Sequence, residues 1–169
     1  MTKKQSRIGL ALSGGGARGG AHIGVLKVLR QSGIPIDVVT GCSAGAIVGA
    51  SFAAGALDKL EEFVVNVTKK DVLKLFPPTR SKFYLFDDSG IVPFFERFVD
   101  QRSFADLEIS LGLVAADVRT REWITLKEGQ VALAMRASTS VPCLFKPVEM
   151  GGHLLVDGGL ISYLPVQAA

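Results

Sequence analysis

Small and apolar residues fill positions 7–13 almost without interruption, Ile8, Leu10 and Leu12 alternating with Gly9 and Ala11. Apolar character on both faces predicts a strand covered on both sides, as in a parallel sheet. The glycine-rich stretch LSGGGARGGAHIG follows, and the period then changes. Ala21, Val25, Leu26, Val28 and Leu29 share one wide face, predicting a helix over 17–31 that Gly33 caps before Pro35. A short strand is expected at 36–39, and the breaker-poor run 44–54, closed by Gly55, predicts a buried helix. Asp58 with Glu61 three residues on forms a capping-box-like pair opening a helix to about Lys70. Over 73–90 periodicity fails: Pro77 and Pro78 break it, and Lys74, Arg80 and Lys82 mix with Phe76, Phe83, Tyr84 and Phe86, predicting a mobile cap or loop around 71–90. Beyond it the pattern predicts a helix at 91–99, strands at 109–118 and 122–127, and a short helix at 131–136. Strands at 144–150 and 153–156 close the chain.

Strands alternating with helices predict an α/β fold, a mainly parallel central sheet with helices on both faces and ligands at the carboxyl ends of the strands. A chain of 169 residues, 48% hydrophobic and 21% charged, suits one domain spanning 1–169. A net charge of +3 is too mild to indicate nucleic acid. Cys42 and Cys143 cannot build a disulfide framework, and no apolar run follows the first residues, so free thiols in the cytoplasm are expected. The uncharged segment 38–57, with Gly41, Gly45 and Gly49 spaced as on a membrane-helix dimer face, is long enough to span a bilayer. Its flanks are Asp37 and Asp58 instead of Lys or Arg, and a strand, a sharp turn and a buried helix account for its apolarity equally well.

Chemistry concentrates at two glycine turns. Gly14, Gly16 and Gly19 have the spacing G-x-G-x-x-G, which can cradle a dinucleotide's pyrophosphate or aim N–H groups at a transient oxyanion. The second turn, TGCSAG, holds G-x-S-x-G, with Gly41 and Gly45 flanking Ser43. A nucleophile held in strained backbone between strand and helix needs glycine at both places, whereas a serine that merely caps the helix needs neither. A serine hydroxyl also needs a base. His22 and His153 are the only histidines, and neither sits in a recognisable triad pattern. Asp157, in LLVDGGL at the end of a strand, projects from the same sheet edge as Ser43. It could be the base if buried with few hydrogen bonds to its charged form, or it could simply be part of an Asp-Gly turn.

Four ordered motifs together resemble the patatin-like phospholipases, serine lipid acyl hydrolases that use a Ser-Asp dyad. They are the G-G-G-x-R loop at Gly14, Gly15, Gly16 and Arg18, the elbow from Gly41 to Gly45, the block ASTSVPCLFKP from Ala137 to Pro147, and D-G-G at Asp157. The resemblance implies that Ser43 attacks the ester carbonyl and Asp157 accepts its proton. It further implies an oxyanion hole around Gly14, with the N–H groups of Gly15 and Gly16 as donors and Arg18 fixing the loop. No metal or organic cofactor is implied; the partner is a lipid or ester substrate, and the aromatic region between Phe63 and Phe98 reads either as a cap that touches anionic membrane surfaces and lines an acyl groove or as an ordinary core beneath a solvated helix face. Where the family has asparagine before the next proline, this chain has Ser162 and Tyr163, and it ends 12 residues after Asp157, where the resemblance implies a further helix and strand. Two other readings compete: a lipid-binding relative without catalysis, and a dinucleotide-binding module on Gly14, Gly16 and Gly19 with Asp37 at the ribose.

Overall fold

In a computed structural model that describes residues 7–169, the first strand, β1 (Gly9–Leu12), runs into a 3-10 turn at Gly16–Gly20 and helix α1 (Ala21–Gln31). The expected helix 17–31 therefore opens on a tighter turn. Gly16 takes a positive φ of 56°, and a side chain at Gly19 would come within 2.4 Å of Ala44 Cβ, so the loop lies flat against the start of the helix that begins at Ala44. Gly33, at φ 67°, ends α1 as expected.

Strand β2 (Val38–Cys42) and helix α2 (Ala44–Ala53) divide the uncharged segment as the pattern predicts. Most of α2 is buried, and at Gly49 a Cβ would meet Val39, Leu12 and Leu111 of three strands, so the helix lies directly on the sheet. Among the described residues no helix is long and apolar enough to cross a membrane.

The single helix expected over 58–70 is two. Helix α3 (Leu57–Asn66) starts at Ala56 without a side-chain cap, and Val67 breaks out into extended backbone. Asp58 and Glu61 do not form a capping box; they pair across to α1, Asp58 with Arg30 at 2.7 Å and Glu61 with Lys27 at 2.6 Å. The capping box belongs to Thr68 and Asp71, which open α4 (Lys69–Leu75). From 76 to 90 there is neither helix nor strand, yet the stretch is docked: the Leu85 and Phe86 N–H groups donate to the Leu144 carbonyl at 3.2 and 3.0 Å, and Phe76, Phe86 and Phe145 cluster. Phe83, 87% exposed, stands outside that cluster.

Helix α5 (Ile91–Val99) and strands β3 (Ser110–Asp117) and β4 (Trp123–Leu126) follow, then α6 (Val131–Ser138), β5 (Val148–Met150) and β6 (His153–Asp157). The strand expected from 144 begins only at Val148, because 141–145 closes as a turn, Phe145 donating to the Val141 carbonyl at 3.0 Å. The architecture is α/β around a mixed sheet. Strands β1, β2 and β3 are parallel; β4, β6 and β5 join antiparallel. Leu12, Val39, Leu111 and Leu113 pack with Leu26, Ala46, Leu57, Phe95 and Met135 into one main core.

Register positions the chemistry. Leu113 and Val114 pair with β2 and β4 at once, so these strands flank β3 on opposite edges. Ala115 and Ala116 pair with β4 and β6, which puts β6 on the same edge as β2. Strand β2 ends at Cys42 opposite Val114, and β6 ends at Asp157 opposite Ala115. Two strands of opposite direction thus abut end to end along β3, and the residues leaving them meet.

Candidate active site

At that junction Ser43 Oγ donates a 2.6 Å hydrogen bond to Asp157 Oδ2, between residues 114 positions apart in the chain. Ser43 has φ 53° and ψ −119°, a conformation that side chains rarely adopt and that turns the hydroxyl away from the helix it precedes. It makes no side-chain cap to α2, so the reading as a simple helix cap does not describe it. The flanking glycines are sterically required. A Cβ at Gly41 would lie 2.4 Å from the Gly45 carbonyl oxygen, and one at Gly45 would lie 2.2 Å from the Leu12 carbonyl oxygen.

Asp157 is buried, 6% exposed. Its Oδ1 accepts the Gly159 N–H at 2.8 Å, capping the 3-10 turn at Gly158–Leu160, while Oδ2 is left to Ser43. The turn and the serine are thus held by different oxygens of one carboxylate. The Asp157 N–H donates to the Ser140 carbonyl at 2.9 Å, which fixes the backbone that carries it. Beneath the pair lies Cys42, its Sγ 3.9 Å from Oδ1; burial, with the Asp157 charge adding to it, pushes this thiol up to about 12.

The first glycine loop lies beside the serine. A Cβ at Gly14 would come 3.4 Å from Ser43 Cβ, and the Gly14 N–H is already engaged, donating to the Tyr163 carbonyl at 2.9 Å. Gly15 and Gly16 are exposed, and their N–H groups donate to no acceptor among the described residues. The Arg18 N–H donates to the Gly15 carbonyl at 3.2 Å, while its side chain is exposed and makes no hydrogen bond among the described residues. His22 Nε2 lies 3.0 Å from the Ser13 carbonyl oxygen and anchors the loop.

The histidines do not reach the serine. His153 pairs through Nδ1 with Asp117 Oδ2 at 2.7 Å, at the start of β6. That bond, with the Arg119 N–H adding to it, holds the buried Asp117 carboxyl down to about 2. Asp37 accepts the Ile8 N–H at 2.7 Å just ahead of β2, at the opposite end of the strand from Ser43. A ribose carboxylate belongs at the carboxyl end, so the dinucleotide arrangement is not assembled here. No group of three or more His, Cys, Asp or Glu side chains among the described residues is placed to hold a metal ion.

Sequence reasoning did not assign the buried residues behind the pair. Ser138 Oγ accepts the Ser43 N–H at 3.1 Å and donates to the Val114 carbonyl at 2.6 Å, tying the elbow to β3. Arg136 donates to Ser140 Oγ, to the Lys146 carbonyl at 2.9 Å and to Asp88 at 2.5 Å. Their sequence signals are a lone Arg136 in an otherwise apolar helix and the small polar residues Ser138 to Ser140 inside the block that begins at Ala137, to which no individual role was assigned.

A family model described as patatin-like phospholipase matches residues 10–169. An uncharacterized NTE family protein of Mycobacterium tuberculosis is 36% identical over 160 residues, covering 95% of this chain and 44% of the relative. Patatin-like phospholipase domain-containing protein 6 of Mus musculus is 33% identical over 171 residues, covering 96% of this chain and 12% of that protein. The chain thus spans less than half the length of these curated relatives. The crystal structure of VipD from Legionella pneumophila matches with a TM-score of 0.61 at 14% identity, covering 94% of this chain and 47% of that one, a likeness of fold.

Proposed function

Because the chain belongs to the patatin-like phospholipase family, we propose that it cleaves acyl esters of lipids, with Ser43 as nucleophile and Asp157 as general base. The observation that carries this reading is the 2.6 Å bond from Ser43 Oγ to Asp157 Oδ2 at a serine held in strained backbone.

As Oγ adds to the ester carbonyl carbon, its proton passes to Asp157 Oδ2 and the carbonyl oxygen becomes an oxyanion. The Gly15 and Gly16 N–H groups are free in the loop whose Gly14 neighbours Ser43, and α2 starts at the residue after the serine, so we assign the developing charge to these fixed dipoles. When the tetrahedral adduct collapses, the carbon–alkoxide bond breaks and Asp157 returns the proton to the leaving oxygen. An alcohol or lysolipid departs and the acyl group remains on Ser43. Water then gives its proton to Asp157 and attacks the acyl carbon; the carbon–Oγ bond breaks, Oγ recovers the proton and the carboxylic acid leaves.

Ser43→Ala and Asp157→Asn should each lower hydrolysis of a chromogenic short-chain ester by about a thousandfold or more, while far-UV circular dichroism is unchanged. A fluorophosphonate ester should label the unaltered chain at Ser43 and leave Ser43→Ala unlabelled. Full activity in Asp157→Asn would remove the dyad; a folded chain that takes no label would leave the lipid-binding reading in its place.

A further inference from the structure

Tyr163 occupies a place that the reaction outlined above does not use. Its carbonyl oxygen holds the Gly14 N–H at 2.9 Å, which fastens the segment after D-G-G to the glycine loop. Its ring then lies across the two backbone segments that flank the Ser43–Asp157 bond. A Cβ at Gly14 would meet ring atom Cδ1 at 3.1 Å; one at Gly159 would meet Cε1 at 3.1 Å and Cδ1 at 3.3 Å. The same ring edge therefore rests on the loop beside the nucleophile and on the turn held by the base. Gly14 itself is in contact range of Ser43, a would-be Cβ lying 3.4 Å from Ser43 Cβ. The remainder of the side chain faces outward, 65% exposed, and the phenol oxygen makes no hydrogen bond among the described residues.

A flat, rigid ring held by one edge beside a nucleophile limits what can stand over it. We propose that Tyr163 is a wall of the ester site, that it excludes acyl groups branched next to the carbonyl, and that it makes the chain selective for unbranched acyl esters. The inference rests on the ester-cleaving reading of Ser43 and Asp157. The ring acts by occupying space, so its hydroxyl is dispensable and its size is not.

The test compares kcat/KM for p-nitrophenyl pivalate, branched at the α-carbon, with that for p-nitrophenyl butyrate. The full chain should prefer butyrate. Tyr163→Ala should raise the pivalate-to-butyrate ratio about tenfold, since steric discrimination over a methyl or two is worth that order. Tyr163→Phe should leave the ratio as it is, and Tyr163→Trp should lower it, which reads the same wall from the other side if alanine loosens the loop. A residue that only supports the fold would lower both rates together and leave the ratio unmoved. An unmoved ratio in Tyr163→Ala and Tyr163→Trp, with Ser43 still labelled by fluorophosphonate, overturns the wall alone; so does Tyr163→Phe behaving like Tyr163→Ala. Hydrolysis of both esters that survives Ser43→Ala overturns the wall together with the reading beneath it.

Discussion

The two free thiols, Cys42 and Cys143, meet opposite surroundings. Cys143 is exposed at φ 66° in the turn that receives Leu85, whereas Cys42 is fully buried at the end of β2, beside the Asp157 carboxylate. Burial and the neighbouring negative charge both disfavour a thiolate, which is why the Cys42 thiol is pushed up to about 12. A group raised in this way stays protonated, and so inert, through the whole range in which an ordinary thiol ionises. Folded protein at pH 8 should therefore give one thiol to Ellman's reagent and a second only in denaturant, and raising the pH to about 10 should not release the second. Two fast thiols in the folded chain would show that β2 opens next to Ser43. At this scale the letters disclosed Ser43 and Asp157 because glycines mark strained or crowded backbone on either side. They assigned no place in the site to Cys42 or Ser138, whose importance comes from contacts with other elements. A small polar residue reads the same whether it faces water or a buried amide.

Among the elements, the elbow depends on how closely α2 approaches β1. A methyl at Gly45 would sit 2.2 Å from the Leu12 carbonyl oxygen, backbone against backbone with no flexible side chain to yield. Gly45→Ala should accordingly cost about 3 kcal/mol of stability, at the upper end for overpacking, and displace Ser43 as well. Gly24 offers the contrast, being inside α1 with nothing within 4 Å of a would-be Cβ. Gly24→Ala should stabilise the chain by about 0.5–1 kcal/mol, through helix propensity and a less free unfolded chain. Urea midpoints of the two variants would separate them in sign, and a neutral Gly45→Ala would mean that the elbow is looser than these contacts require. Period alone marked α2, α5, β3 and β4, since one face or both must be apolar for each to pack. It failed over 58–70, where two acid-bearing signatures compete. Thr68 with Asp71 makes the cap because Asp58 and Glu61 are claimed by Arg30 and Lys27, partners on another helix that no local pattern reveals.

For the molecule as a whole, the site exists because β2 and β6 abut on one edge of β3, and that register was not legible in the chain. Each strand could be placed from its apolar run, but which edges pair is decided by packing between residues far apart in the chain, such as Cys42 with Val114 and Ala115 with Asp157. Behind the junction, Arg136 links three regions. Its side chain is 3% exposed, bonds Asp88 in the 76–90 stretch, Ser140 and the Lys146 carbonyl, and lies over the Phe145 ring that packs against Phe76 and Phe86. Ser140 in turn accepts the Asp157 N–H through its carbonyl. Removing the guanidinium strands a carboxylate, a hydroxyl and a carbonyl where water reaches poorly, so Arg136→Met should cost about 3–5 kcal/mol. Asp88→Asn, which keeps an acceptor at a half-buried position, should cost far less. If the connection to Asp157 matters, Arg136→Met at a temperature where it stays folded should also lower kcat for the short-chain ester, and limited proteolysis should cut 76–90 faster. Proteolysis unchanged alongside lowered kcat would confine the role of Arg136 to the Ser140 side; stability unchanged would mean that its buried partners find water after all.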